Sequence, residues 1–134
     1  MNASLTKARV GSLNPRKPFY LGKDATVKEA VKSMKENQMG CVLIKDGEQW
    51  AGILTERDVL RSLSRNVDLR EIKVTELMDK DPSYLYEEDS AAYALNEMSV
   101  GGYRSLTVLG KNEKPCDILT IEDILDHIID ELDF

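Results

Sequence analysis

At 134 residues, with 42% hydrophobic and 31% charged side chains, the chain can bury one ordinary core and has the balance of a globular rather than a disordered protein. A net charge of −6 argues against a nucleic-acid coat or an anionic membrane surface as the main partner, while one or two local cations could still hold a nucleotide phosphate. No apolar run approaches the roughly 20 residues that span a bilayer, and residues 1–17 lack the apolar core of a secretory signal, so a reducing cytoplasmic setting is expected.

In chain order, residues 1–9 read as a flexible N-terminal arm, and Pro18 to Leu21 as a short extended segment. Thr26 and Glu29 have capping-box spacing, and Val27, Ala30, Val31 and Met34 then recur at helical intervals. Gly40 is expected to end that unit. Cys41 to Ile44 is a compact apolar strand, Asp46-Gly47 a turn, and Trp50 to Leu54 the returning strand of a hairpin. Thr55 then caps a second helix carrying Val59, Leu60 and Leu63.

The same order recurs further on. Ser90 caps a helix with Ala91, Ala94, Leu95 and Met98, which Gly101-Gly102 breaks. Ser105 to Leu109 and Cys116 to Leu119 read as strands, joined by a turn over 110–115. The last helix carries Ile121, Ile124, Leu125, Ile128, Ile129 and Leu132 on one side, a stripe that suits either core or a dimer surface. Its wet face is acidic.

Superposing the chain on itself shows why the order recurs. A shift of 64 lays Val10, Leu13, Pro18, Tyr20, Leu21, Ala30 and Met34 on Val74, Leu77, Pro82, Tyr84, Leu85, Ala94 and Met98. After one inserted residue, Ile53, Leu54, Thr55, Asp58 and Leu60 meet Ile118, Leu119, Thr120, Asp123 and Leu125. The chain is a duplication, with repeats over 10–65 and 74–130. One copy alone would bury too little surface, so two β-α-β-β-α copies packed sheet to sheet as one pseudo-two-fold mixed α/β (α+β) module are expected.

Each copy places Thr-x-x-Asp at a strand-to-helix turn: Thr55 with Asp58, and Thr120 with Asp123. As pure structure this is a helix cap. As chemistry, a carboxylate accepts from two vicinal hydroxyls, and a helix N-terminus favours a phosphate. Capping and binding can coexist.

With Gly52-Ile-Leu-Thr-Glu-Arg-Asp58, Val74-Thr-Glu-Leu-Met78 before Asp81-Pro82, and Gly102-Tyr-Arg-Ser-Leu-Thr-Val-Leu109, the duplicated unit resembles the CBS domain, and the pair a Bateman module, from about Val10 to Ile129. The resemblance implies a free-standing regulatory module that binds an adenosine compound (AMP, ADP, ATP or S-adenosylmethionine) between the repeats. It also implies a disc-like homodimer. Ribose would be held by Asp58 and Asp123, with Thr55 and Thr120 beside them. Arg104 and Arg57 are candidates for phosphate, and Tyr20, Tyr84, Ile53 and Ile118 for the adenine pocket. The first copy keeps the motif glycine, Gly52, whereas the second has Asp117, so one competent and one weak or empty site is expected.

No nucleophile–base pair, metal cluster or phosphate loop is visible, so neither an enzyme nor a bound cofactor is expected. Cys41 and Cys116 stand in no ligand spacing, and His127 is alone. The competing reading is a dimeric scaffold that needs no ligand and meets its partner through the C-terminal helix. A separate regulated protein is expected as the partner of the sensor.

Overall fold

The computed structural model describes residues 3–132. They form two compact units, one of residues 18–82 and one that joins residues 1–17 to 83–134. No helix is long and apolar enough to cross a membrane.

In the unit of residues 18–82, β1 (Tyr20–Gly22) runs parallel to the central β2 (Cys41–Asp46), which pairs antiparallel with β3 (Gln49–Thr55). Gly47, at φ +63°, makes the hairpin turn that Asp46-Gly47 announced. Helices α2 (Val27–Asn37) and α3 (Glu56–Leu63) cover one face of this sheet. Val27, Ala30, Val42, Ile44, Leu54 and Val59 pack there into one core. The helix α2 starts on the expected capping box of Thr26 and Glu29. It ends at Gln38, which takes the left-handed conformation at φ 50°, rather than at Gly40. A Cβ on Gly40 would meet only the exposed Glu56 side chain, which can swing aside.

The other unit repeats the plan with β4 (Tyr84–Tyr86), β5 (Ser105–Leu109) and β6 (Pro115–Thr120) in the order β4-β5-β6, and with α4 (Ala91–Gly101) and α5 (Ile121–Leu132). Ser90 caps α4 through the Tyr93 amide, and Gly102, at φ 71°, ends it. The turn after β5 contains a 3-10 stretch, Lys111–Glu113, where Asn112 and Glu113 have positive φ. This turn, longer than the two-residue one in the first copy, absorbs the inserted residue of the second repeat.

The compact units are not cut where the sequence repeats are. Val10 and Leu13, assigned by register to the first repeat, are buried among Leu85, Leu106 and Leu119 of the second. Arg16 exchanges backbone hydrogen bonds with Ile118 of β6, at 3.0 and 2.7 Å. Reciprocally, Val74 lies in the core of the 18–82 unit, and Asp79 exchanges bonds with Ile53 of β3, at 3.0 and 2.9 Å. The segment preceding each repeat's first strand thus completes the other repeat's sheet. Backbone donors and acceptors at a sheet edge need partners, and these segments supply them.

Of the flexible arm expected over 1–9, residues 1 and 2 lie outside the described residues, and the same packing corrects the expectation for the rest. Ala3–Lys7 is a helix, α1, and Leu5 is buried in the core with Met98 and Ile124. Ser4 Oγ lies 2.8 Å from His127 Nε2, joining α1 to α5. One apolar side chain with a place in the core is enough to order so short a segment, and its five residues are too few to show a period.

On the sheet face away from the helices, directly paired residues form a row in each unit: Tyr20, Leu43 and Ile53 in one, Tyr84, Thr107 and Ile118 in the other. Thr107 is fully buried, yet its hydroxyl has no hydrogen-bond partner among the described residues. Leu43 holds the equivalent place in the first row. An unpartnered buried hydroxyl costs about 1–3 kcal/mol, so Thr107→Val is expected to raise the melting temperature by several degrees. A lower melting temperature in a thermal scan would show that the hydroxyl is bonded.

Candidate functional site

The turn from β3 into α3 is built around Gly52, Thr55 and Asp58. A Cβ on Gly52 would collide with the Asp79 carbonyl and approach Met78 Sδ to 3.1 Å, so glycine is what lets the exchanged segment dock against β3. Thr55, extended at φ −115°, is the N-cap of α3. Its amide and hydroxyl donate to Asp58 Oδ2 at 2.9 and 3.0 Å, and the Asp58 amide donates back to Thr55 Oγ1 at 3.4 Å. The helix cap read from the sequence is therefore present. It uses only Oδ2, and Oδ1 accepts no bond from the described residues.

The second copy repeats this geometry. The Thr120 amide donates to Asp123 Oδ2 at 2.8 Å, and the Asp123 amide to Thr120 Oγ1 at 3.3 Å. Burial pushes the Asp123 carboxyl above its ordinary range, against the opposing pull of the Thr120 amide and hydroxyl on the carboxylate. What the two turns share is a fixed carboxylate with one committed oxygen, set at a helix N-terminus whose dipole favours negative charge. Such a site can accept hydroxyl donors and tolerates an anion nearby.

The remaining sequence candidates divide. Ile53 and Tyr20 share one sheet face, on the two strands flanking β2, as Ile118 and Tyr84 do on the strands flanking β5. Ile53 and Ile118 are buried, whereas Tyr84 is exposed. The Lys45 ammonium stands 4.2 Å from the Tyr20 ring centroid, a cation–π contact. Trp50 donates through Nε1 to the Gly52 carbonyl at 2.9 Å and so braces the turn from inside.

Arg57 is exposed, with no ion-pair partner among the described residues, and follows Thr55 by two positions. Arg104 does occupy the place of Gly40: its carbonyl accepts from the Ile121 amide, as the Gly40 carbonyl accepts from Glu56. Its guanidinium, however, reaches Glu122 Oε1 at 3.3 Å, in a pair largely open to solvent. A phosphate there would have to compete with Glu122.

Asp117, in the place of the motif glycine, is held by a residue that sequence reasoning passed over. Lys17 Nζ lies 3.1 Å from Asp117 Oδ1 and donates to the Cys116 carbonyl at 3.3 Å. The Asp117 carboxylate, through its hydrogen bond and its charge, raises the Lys17 ammonium above its usual pKa. Because the exchanged segment ends at Lys17, no local sequence signal links it to Asp117. Cys116, with Glu87 and Asp117 as neighbours, is pushed up to about 12, by burial first and then by the two carboxylates. It is a protonated thiol at neutral pH. Its Sγ and the oxygens of Glu87 and Asp117 lie within 4.8 Å of one another, with the Lys17 ammonium against the same carboxylate.

The sequence model of the CBS domain matches residues 10–65 and 74–130. An uncharacterized 17.7 kDa protein of Acidianus ambivalens is 30% identical over 124 residues, which are 91% of this chain and 74% of that protein. A CBS domain-containing protein of Arabidopsis thaliana is also 30% identical over 109 residues, but the chain spans only 19% of its length. Among solved structures, a CBS-domain protein from Burkholderia ambifaria MC40-6 superposes with a TM-score of 0.88 at 26% identity, covering 95% of this chain and 98% of that one. A CBS domain protein from Pyrobaculum aerophilum, solved in complex with AMP, shares the fold at a TM-score of 0.80 and 21% identity, over 94% and 99% of the two chains.

Proposed function

The chain belongs to the CBS domain family as a tandem pair, and on that premise we propose that it is a non-catalytic regulatory module binding an adenosine-containing ligand at its Thr-x-x-Asp turns. The observation that carries this reading is the uncommitted Oδ1 of Asp58, held rigidly at the start of α3 by the Thr55 bonds. A ribose edge offers two hydroxyl donors to such an oxygen. The adjacent helix N-terminus and Arg57, without an ion-pair partner among the described residues, favour the phosphate that follows the ribose. Tyr20 and Ile53 supply apolar surface for the base.

The first site is the stronger of the two in this reading. Gly52 adds no charge there, whereas the second turn carries Asp117 and commits Arg104 to Glu122. Adenosine ligands are supported by the AMP complex of the Pyrobaculum aerophilum protein. The module works as a homodimer in the cytoplasm, where Cys41 and Cys116, in no disulfide among the described residues, stay reduced, and it reports to a separate regulated protein. A second reading, a scaffold independent of any ligand, is favoured by the exposure of Leu125, Ile129 and Leu132 on α5.

Thermal unfolding with AMP, ADP, ATP, S-adenosylmethionine and GTP, each at about 1 mM, separates the two readings. A ligand at 100 times its dissociation constant stabilises by about 2.7 kcal/mol, which shifts the transition by several degrees. At least one adenosine compound is expected to give that shift, and GTP none. An unmoved transition with all five would favour the scaffold.

A further inference from the structure

Duplication supplies an internal comparison for one surface of the second repeat. In the first repeat the Tyr20 ring carries a cation of its own, the Lys45 ammonium 4.2 Å from its centroid. Lys45 stands opposite Gly22 across β1 and β2. The equivalent place in the second repeat, opposite Tyr86 across β4 and β5, belongs to Leu109, which is buried. Tyr84, the counterpart of Tyr20, has no cation over its ring among the described residues, and it is 45% exposed.

The loss of positive charge extends beyond that ring. Lys23, Lys28, Lys32 and Lys35 fall on Glu87, Ala92, Asn96 and Ser99, and residues 83–103 contain neither lysine nor arginine. What the surface does carry is aromatic and acidic. Tyr86 meets Tyr84 at an interplanar angle of 82° with centroids 5.5 Å apart, and its hydroxyl donates to Glu113 Oε2 at 2.7 Å. Tyr93, in the first turn of α4, is 46% exposed, and the charge of Glu97, with smaller contributions from Asp89 and Tyr84, raises its hydroxyl above the usual range. Glu88, Asp89, Glu97 and Glu113 have no ion-pair partner among the described residues. All of these groups belong to one compact unit.

We infer that this surface, formed by β4, the first turns of α4 and the turn at Glu113, docks an arginine- or lysine-bearing segment of the regulated protein. A cation is attracted to the negative face of a tyrosine ring, and the ring that Lys45 covers in one repeat is left in the other for a cation arriving from outside. The carboxylates around it supply opposite charge that no lysine or arginine of the described residues pairs with. Because rings and carboxylates are spread over a strand, a helix and a turn, an extended basic segment can meet several of them at once, whereas a single small cation meets one. The net charge of −6 favours the encounter.

The inference takes from the proposed function only that a separate protein is regulated, and it needs no adenosine ligand. The test is fluorescence anisotropy of a labelled hexa-arginine peptide titrated with the ligand-free full chain at about 0.1 M salt. Saturable binding is expected. Tyr84→Leu removes the ring and should weaken binding about twofold to fivefold, the worth of one exposed cation–π contact. Tyr84→Phe keeps the ring and should bind as the wild type does. Glu97→Gln should weaken binding by a similar factor, and as a change of charge with little change of shape it carries the test if Tyr84→Leu fails to fold. Asp126→Asn removes an exposed carboxylate from α5, outside this surface, and should leave the constant unchanged. Absence of saturable binding by the wild type would overturn the inference. So would equal weakening by Glu97→Gln and Asp126→Asn, which would mean attraction to net charge alone. None of these outcomes bears on the adenosine site, which titration with AMP reads separately.

Discussion

A chain lacking residues 1–13 is expected to lose the cooperative folding of the unit that contains its second repeat. The deletion removes Leu5, Val10 and Leu13, all buried in one core with Leu85, Leu119 and Ile124. It also removes the Val10 and Gly11 amides that donate to the Asp89 and Glu87 carbonyls at 2.8 and 2.9 Å. Each buried side chain of this size contributes about 1.5–3 kcal/mol, so the three together rival the 5–15 kcal/mol that holds a typical domain folded. Urea unfolding followed by circular dichroism should show a transition of reduced amplitude and slope, or none for this unit. A wild-type transition would mean that the segment is an appendage. The expectation is counter-intuitive from the sequence, where Val10 and Leu13 open the first repeat and lie more than sixty residues before the second.

The second large effect concerns the site. Asp58→Ala should weaken the best adenosine ligand roughly ten- to hundred-fold, because a hydrogen bond to a charged acceptor is worth about 1.5–3 kcal/mol. The variant also loses half of the Thr55 capping box, at a cost of about 0.5–2 kcal/mol in stability. Asp58→Asn separates the two roles. It keeps an oxygen for the Thr55 amide and removes the charge that the ribose hydroxyls would meet. If affinity falls in the asparagine variant while the melting temperature holds, the carboxylate binds ligand. Should both variants bind as the wild type does, Asp58 is a cap and nothing more. Asp123→Ala, at the weaker site, should change the principal affinity little.

Much of the fold could be read from the chain because duplication doubles every signal. The capping box at Thr26, the Asp46-Gly47 turn and the apolar strand Cys41 to Ile44 are all local features, and each falls where periodicity and turn chemistry put it. The exchange of segments was not legible. Val10 and Val74 sit at equivalent places in the register, and a repeat pattern is satisfied equally well whether each docks on its own sheet or on the other. Only the burial of Val10 with Leu119 and of Val74 with Leu54 distinguishes the two arrangements. Lys17 was missed for the same reason, since its partner Asp117 lies a hundred residues away.

Gly40 illustrates a helix end read from the wrong residue. Gln38 ends the helix, and Gly40 only borders the exposed Glu56 side chain. At the equivalent position Arg104 makes the same backbone bond, to Ile121 in place of Glu56. At the candidate site the residue types were legible but their alternatives were not separable, because Thr-x-x-Asp is the same pattern for a cap and for a ribose ligand. The geometry shows a cap that leaves one oxygen over, which is compatible with both roles.

Isothermal titration of the full chain with AMP, and with GTP as control, tests the central claim most directly. The account predicts saturable heat with the adenosine compound at about one strong site per chain, lost or greatly weakened in Asp58→Asn, and no heat with the guanosine compound. Binding of AMP that Asp58→Asn leaves unchanged would contradict the assigned site, and the absence of binding by AMP, ATP and S-adenosylmethionine alike would contradict the adenosine reading as a whole.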